Sequence, residues 1–147
     1  LAANFYSAIS SVLLTENKKD SAILLQRKSI RIKEELYPEY HPVLASSYRE
    51  TGEIYYKLGF LDSARYYYYR SLRSNYPDSF NPEYFNLSVI LSENEFALTI
   101  MDLCRLNYRE YEITDNEYFL EEIIKYFDYL KAVVNIIISD MPSRKPK

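Results

Sequence analysis

The stretch Tyr48-Arg49-Glu50-Thr51-Gly52-Glu53-Ile54-Tyr55, continued by Ala64-Arg65-Tyr66-Tyr67-Tyr68 and closed by Pro77, decides how this chain is read. Large and small residues follow a fixed order along it: aromatic, small, aromatic, small, aromatic, proline. Gly52 and Ala64 are slender enough to let two antiparallel helices approach closely. Tyr48, Tyr55 and Tyr68 are large enough to fill the space around that approach. A helix-turn-helix hairpin is the expected unit.

A weaker copy lies upstream in the same register. Lys19-Asp20-Ser21-Ala22 corresponds to Leu61-Asp62-Ser63-Ala64 at an offset of 42 residues. At that offset Tyr6 matches Tyr48, Ser29 matches Ser71 and Ile30 matches Leu72. Self-similarity at a fixed period marks stacked repeats, each burying its apolar face on the next.

Composition supports helices. At 147 residues the chain suits one domain that buries roughly 70% of its unfolded surface. It has two glycines, and its six prolines leave long stretches free of helix breakers. Seventeen tyrosines and no tryptophan suit the walls between packed helices, where the ring is buried and the hydroxyl reaches water or a partner. The net charge of −3, with both signs interspersed, offers no basic footprint for nucleic acid. A lone cysteine, Cys104, makes no internal disulfide and no metal cluster. The segment from Leu1 to Leu14 lacks a basic leader and reads as an amphipathic helix, not a signal peptide. The apolar run from Val133 to Ile138 is too short to span a bilayer. The expectation is a soluble cytoplasmic protein with no cofactor and no metal. The start at Leu1 and the basic tail from Ser143 to Lys147 read as cuts in a longer polypeptide.

Breakers and apolar periodicity predict six helices. The first covers residues 3–16 and turns at Glu16-Asn17-Lys18. The second, with Asp20 as N-cap, sends Ala22, Leu25, Ser29, Ile32 and Leu36 to the core, and Pro38 and Pro42 end it. The third begins after Pro42 and stops at Gly59; the fourth is capped by Asp62 and runs to Asn75. Residues 76–91 suit an extended connection. Ser92-Glu93-Asn94-Glu95 has the form of a capping box and opens the fifth helix, with Phe96, Ile100, Leu103, Cys104 and Tyr111 as its buried stripe. Thr114-Asp115-Asn116 turns the chain into the sixth, residues 117–139. That helix is richer in apolar residues than one buried stripe requires, so part of it faces a further surface, and it is a candidate homodimer surface. The hairpins are 3–37, 43–76 and 92–139, joined by the 77–91 connection within a domain of residues 1–139. Residues 140–147 form a tail.

The first two hairpins resemble tetratricopeptide repeats, in the 42-residue form found in kinesin light chains and many bacterial signalling proteins. A period of 42 also falls in the range of HEAT and armadillo repeats, but the small-residue signature favours the tetratricopeptide likeness. The step Tyr40-His41-Pro42, followed by Ala45 and Tyr48, resembles the Asp-His-Pro link between such repeats, with Tyr40 in the place of Asp. A looser resemblance covers residues 81–139. Asn81-Pro82, Leu87, Ile90-Leu91-Ser92, Glu95, Leu98 and Leu103, with the Thr114-Asp115 turn and Tyr118-Phe119-Leu120-Glu121, look like a connection in bacterial caspase-like CHAT-domain proteins. There, repeats precede a cysteine protease. The resemblance implies an all-α, right-handed solenoid of stacked antiparallel hairpins that binds a protein or peptide and regulates an attached protease domain. It carries no catalytic residue onto this chain.

Residues with chemical potential favour plain structural roles. His41, the one histidine, precedes Pro42 and is read as capping the next helix, not as a base or ligand. Cys104 sits on a buried stripe, whereas a reactive thiol needs an accessible cationic setting. Glu34-Glu35 and Glu121-Glu122 point apart around their helices, so neither is a catalytic pair. The run Tyr66 to Tyr69 is either an aromatic contact surface or packing between repeats, and packing is favoured. No catalytic set is visible, and an enzyme ranks last.

In stacked hairpins the first helix of each pair lines the concave side. Off the packing stripe, the third helix offers Ser46, Arg49, Glu53, Tyr56 and Lys57. The 42-residue offset transfers this face to Asn4, Ser7, Ser11, Leu14 and Thr15. The fifth helix adds Asp102, Arg105 and Arg109. Arg49 and Lys57, flanking Tyr56, are candidates to clamp a carboxylate or acidic segment of a protein or peptide partner. The rival expectation is a structural module that self-associates through its flanks and leaves the groove empty.

Overall fold

A computed structural model describes residues 1–77 and 89–139, apart from the side chain of Ile136. The fold is all-α. Among the described residues the helices are α1 (Ala2–Thr15), α2 (Lys19–Leu36), α3 (Pro42–Leu58), α4 (Leu61–Asn75), α5 (Glu93–Thr114) and α6 (Tyr118–Ser139). They pack as three hairpins, α1 with α2, α3 with α4, and α5 with α6, stacked through α2 on α3 and α4 on α5. The expected tail 140–147 and most of the expected 77–91 connection lie outside the described residues.

Local chemistry sets the ends of the helices. Gly59 adopts φ +85 and stops α3 as a left-handed C-cap, its N–H reaching the carbonyls of Tyr55 and Tyr56. Asn17 (φ 59) and Asp115 (φ 54) make the other two hairpin turns, a conformation asparagine and aspartate tolerate better than most residues. The Ser92 hydroxyl accepts from the Glu95 N–H and caps α5 where expected, while the Glu95 carboxylate turns to Arg49 instead of completing the box. Two expected caps move. Asp20 and Asp62 stand in the first turns of α2 and α4, whose N-cap positions are Lys18 and Phe60 with no side-chain cap bond. The carboxylates there favour the positive end of the helix dipole without closing it. Pro42 is the first residue of α3 and not its predecessor, a place where its missing N–H costs nothing.

The signature residues meet as expected. Ala22, Gly52 and Ala64 are buried, as are Tyr48, Tyr55 and Tyr68. A Cβ on Gly52 would fall 2.6 Å from two ring carbons of Tyr68 and 3.2 Å from the Ala64 carbonyl oxygen. The first hairpin solves the same contact differently. Ser10 and Gln26 stand 42 residues before Gly52 and Tyr68. Ser10 is buried and donates to the Ala22 carbonyl at 2.7 Å. Gln26, at the position equivalent to Tyr68, is slimmer than tyrosine.

The main core joins the second and third hairpins. It includes Tyr55, Ala64, Tyr68 and Leu72 from α3 and α4, Phe96, Ile100, Leu103 and Leu106 from α5, and Tyr126 and Val133 from α6. The first hairpin is held by a smaller cluster of Ile30, Leu44 and Tyr48 together with polar bonds. Gln26 Nε2 donates to Thr51 Oγ1 at 2.9 Å, and Lys33 Nζ donates to Ser47 Oγ at 2.7 Å. The buried positions of α2 are therefore Ala22, Gln26, Ser29, Ile30 and Lys33, whereas Leu36, expected in the core, is exposed. The real stripe runs through polar positions that hydropathy alone passes over. Among the described residues no helix is long and apolar enough to cross a membrane.

Candidate binding groove

Two seams separate the first helices of successive hairpins, and they differ in kind. Between α3 and α5 the seam is closed by charge. Arg49 meets Glu95 in a two-pronged pair, Nε to Oε2 at 3.1 Å and Nη2 to Oε1 at 3.3 Å, and reaches Asp102 Oδ2 at 3.4 Å. Arg105 closes the far side, pairing with Glu53 and with Asp102. Tyr56 lies under both neighbouring guanidinium groups, 4.5 Å from Arg105 and 5.1 Å from Arg109, and its carbonyl accepts from Arg109 Nη1. Burial works against the Arg49 charge, but its bonds to Glu95 and Asp102 outweigh burial and hold the guanidinium above its usual pKa. Burial lifts the Asp102 carboxyl above the usual carboxylate range, with Arg105 and Arg49 pulling it back down.

Between α1 and α3 the seam stays open. No substantial packing joins these two helices. Instead two cavities run end to end along them, about 600 Å³ and about 570 Å³, sharing Ser7 and Glu50. Asn4 and Ser46 line the first; Ser11, Leu14, Thr15, Arg49, Glu53 and Lys57 line the second. Together they form a groove with hydroxyls and an amide along α1 facing hydroxyls and charges along α3.

The structure thus divides the candidate groove residues into two groups. Asn4, Ser7, Ser46, Arg49, Glu53 and Lys57 come together around the open α1/α3 groove, as the 42-residue offset led one to expect. Tyr56, Arg105 and Arg109 do not reach it. They belong to the α3/α5 seam, and Arg49 and Glu53 serve both. The expected clamp of Arg49 and Lys57 around Tyr56 is not assembled, because Arg49 is already bound to two carboxylates and Lys57 pairs with Glu53.

The other candidates take structural places. His41 Nδ1 accepts from the Val43 N–H at 3.1 Å and caps α3, its ring 4.6 Å from that of Tyr37. The Cys104 thiol is half-buried against the main core, and burial pushes it up to about 11, far from a reactive thiolate. Glu34 binds the Tyr48 hydroxyl and Arg70, while Glu122 pairs with Lys125. Within the tyrosine run, Tyr68 is buried, Tyr67 stacks on Tyr55 at 5.4 Å, and Tyr69 bonds Tyr126 of α6 through their hydroxyls at 3.1 Å. Tyr66 is the most exposed of the four. No cluster that could hold a metal ion occurs among the described residues.

Several groove residues were missed in the sequence, among them Glu50, which lines both cavities, and the buried Lys33. Lys33 lines the first cavity and is only 7% exposed. A lysine near a helix end normally reads as solvated, and nothing in its local pattern marks it as buried. The 42-residue offset held the one clue, since it pairs Lys33 with Asn75, another buried polar residue. No protein-family model matches the chain, and no curated protein matches it either.

Proposed function

We propose that this chain is a protein-interaction scaffold, a tetratricopeptide-like helical stack that takes an extended peptide or protein segment into the groove between α1 and α3. The observation that carries this reading is the contrast between the seams: α3 and α5 are pinned by Arg49 and Arg105, while α1 and α3 leave two contiguous cavities. An extended strand spans both without displacing a core residue, and the mixed hydroxyl, amide and charged lining gives its backbone donors and acceptors. No catalytic step enters this role.

Peptides selected on the chain from a random library provide the test. Ser11→Trp and Ser46→Trp fill the two halves of the groove from positions that make only local hydrogen bonds. Each is expected to weaken the selected peptides at least about tenfold, the equivalent of about 1.4 kcal/mol, with little change in melting temperature. Peptides that bind both variants unchanged would remove the groove from consideration.

A second reading, self-association, has its own observation. Ile124, Phe127, Val134 and Ile138 are 42% to 65% exposed, and with Lys131 between them they form a row at spacings of three and four along α6. Such a row is the seam of a helix pair. The opposite side of α6 already packs on α5 and, through Tyr126, on Tyr69 of α4. Phe127→Glu is expected to convert a dimer to a monomer in sedimentation equilibrium. A chain that is monomeric at all concentrations before substitution would dismiss this reading.

A further inference from the structure

We infer that this chain associates head to tail: the outer face of α1 in one copy docks on the exposed row of α6 in another. The contact repeats between chains the seam that stacks hairpins within one. It rests on the self-association reading above and names the surface that α6 meets.

The repeat offset identifies the first face. Phe5, Ile9 and Val12 stand 42 residues before Ser47, Thr51 and Ile54. In α3 all three of those positions are buried. Ser47 accepts there from Lys33 of α2, and Thr51 accepts from Gln26 of the same helix. In α1 the equivalent positions are open: Phe5 is 66% exposed and Val12 56%, with Ile9 half-buried between them. The exposed Leu24 of α2 continues this side. Its counterpart 42 residues on, Tyr66, shares a cavity with Glu34 and Tyr37 of α2. The outer side of the first hairpin is therefore placed as a surface that lies on the second helix of another hairpin, and it is apolar.

Within the chain α2 is covered by α3 and α4 by α5, which leaves α6 as the second helix with an open outer row among the described residues. That row, Ile124, Phe127, Lys131, Val134 and Ile138, lies away from α5 and from the Tyr69–Tyr126 contact with α4. Charge decides between α1 and a second α6 as its cover. The row is centred on Lys131, so two α6 helices paired in register set like charges opposite each other at the middle of the seam, which is unfavourable. Helix α1 carries no charged residue from Ala2 to Thr15. Against it the Lys131 ammonium, held by Asp128 at 3.3 Å, meets no opposing cation. The two faces differ, so each pair of copies leaves one of either kind free for a further copy.

Sedimentation velocity of Phe5→Glu, Phe127→Glu and their equimolar mixture tests the pairing. Both residues are more than half exposed, so neither change strikes the core. The unaltered chain is expected to form species beyond the dimer as its concentration rises. Each variant alone should associate at least about a hundredfold more weakly. Mixed, the two should recover a one-to-one dimer that grows no further, because Phe5→Glu keeps its α6 row and Phe127→Glu keeps its α1 face. Val12→Glu mixed with Val134→Glu gives the same reading should either of the first variants fail to fold. Two monomeric variants that do not combine overturn the head-to-tail contact. Association that survives Phe5→Glu and is lost in Phe127→Glu also overturns it, and leaves the wider self-association reading standing. An unaltered chain that stays monomeric at every concentration brings down both.

Discussion

Gly52→Ala is expected to destabilise the chain by about 2 kcal/mol, opposite in sign to the usual effect of replacing a mid-helix glycine. In an exposed helix the change gains roughly 1 kcal/mol from propensity alone. Here the new methyl would fall 2.6 Å from two carbons of the Tyr68 ring and 3.2 Å from the Ala64 carbonyl oxygen. Tyr68 has no free volume to yield, being fully buried among α3, α4 and α5, with its hydroxyl bonded to Glu53. Overpacking of this kind costs about 1–3 kcal/mol, more where backbone must shift, and it outweighs the propensity gain. Urea denaturation measures the loss, and a double-mutant cycle with Tyr68→Gln identifies its origin. Because the first hairpin carries Ser10 and the slimmer Gln26 at the positions equivalent to Gly52 and Tyr68, the two changes together should recover at least about 1 kcal/mol of the expected sum. An unchanged or increased stability in Gly52→Ala would mean that the helices do not meet at this point.

That contact also explains which parts of the fold were legible in the sequence. Gly52, Ala64 and Tyr68 announce a hairpin because small and large residues must alternate where two helices touch, and the need leaves a spaced pattern. In the first hairpin Ser10 and Gln26 meet the same need with polar residues of middling size, so only Ala22 and the offset of 42 betray the copy. The ends of the helices were readable within a residue or two, because Gly59, Asn17 and Asp115 stop them by backbone conformation, a local property. The caps assigned to Asp20 and Asp62 were not, since an acid one turn into a helix and an acid at its cap leave similar sequences. The groove was half readable. Its α1 and α3 walls follow from the repeat offset. Which of its charges remain available depends on what α5 brings across from some fifty residues away, and nothing near Arg49 in the chain encodes Glu95 or Asp102. Lys33 was invisible for the converse reason: burial imposed by tertiary packing on a residue type that favours water.

Arg49→Glu illustrates how that long-range pairing controls the experiments open on this chain. The substitution reverses the charge between Glu95 and Asp102, leaving three carboxylates near one another with Arg105 as the nearby cation. The Arg49 side chain is 23% exposed and its two partners are less so, which places the network between a surface pair worth under about 1 kcal/mol and a fully buried one whose breakage costs about 3–5 kcal/mol. The expected loss is about 3 kcal/mol, enough for local opening of the α3/α5 seam and a visible fall in melting temperature. Arg49→Met should lose less, since it leaves Glu95 without its partner while Asp102 keeps Arg105, and it adds no third carboxylate. Pairing Arg49→Glu with Glu95→Arg should restore more than half, because it again sets one cation against one anion at the same two positions. A loss below about 0.5 kcal/mol for Arg49→Glu would show the network to be an ordinary solvated one. Until this is measured, failure of an Arg49→Glu variant to bind a partner carries no information about the groove, because the same change strikes the seam that holds α3 in place. Lys57, exposed and tied only to Glu53 on its own helix, is the sound position for probing charge at that end. Reversing Lys57 alone tests recognition, whereas reversing Arg49 tests the fold.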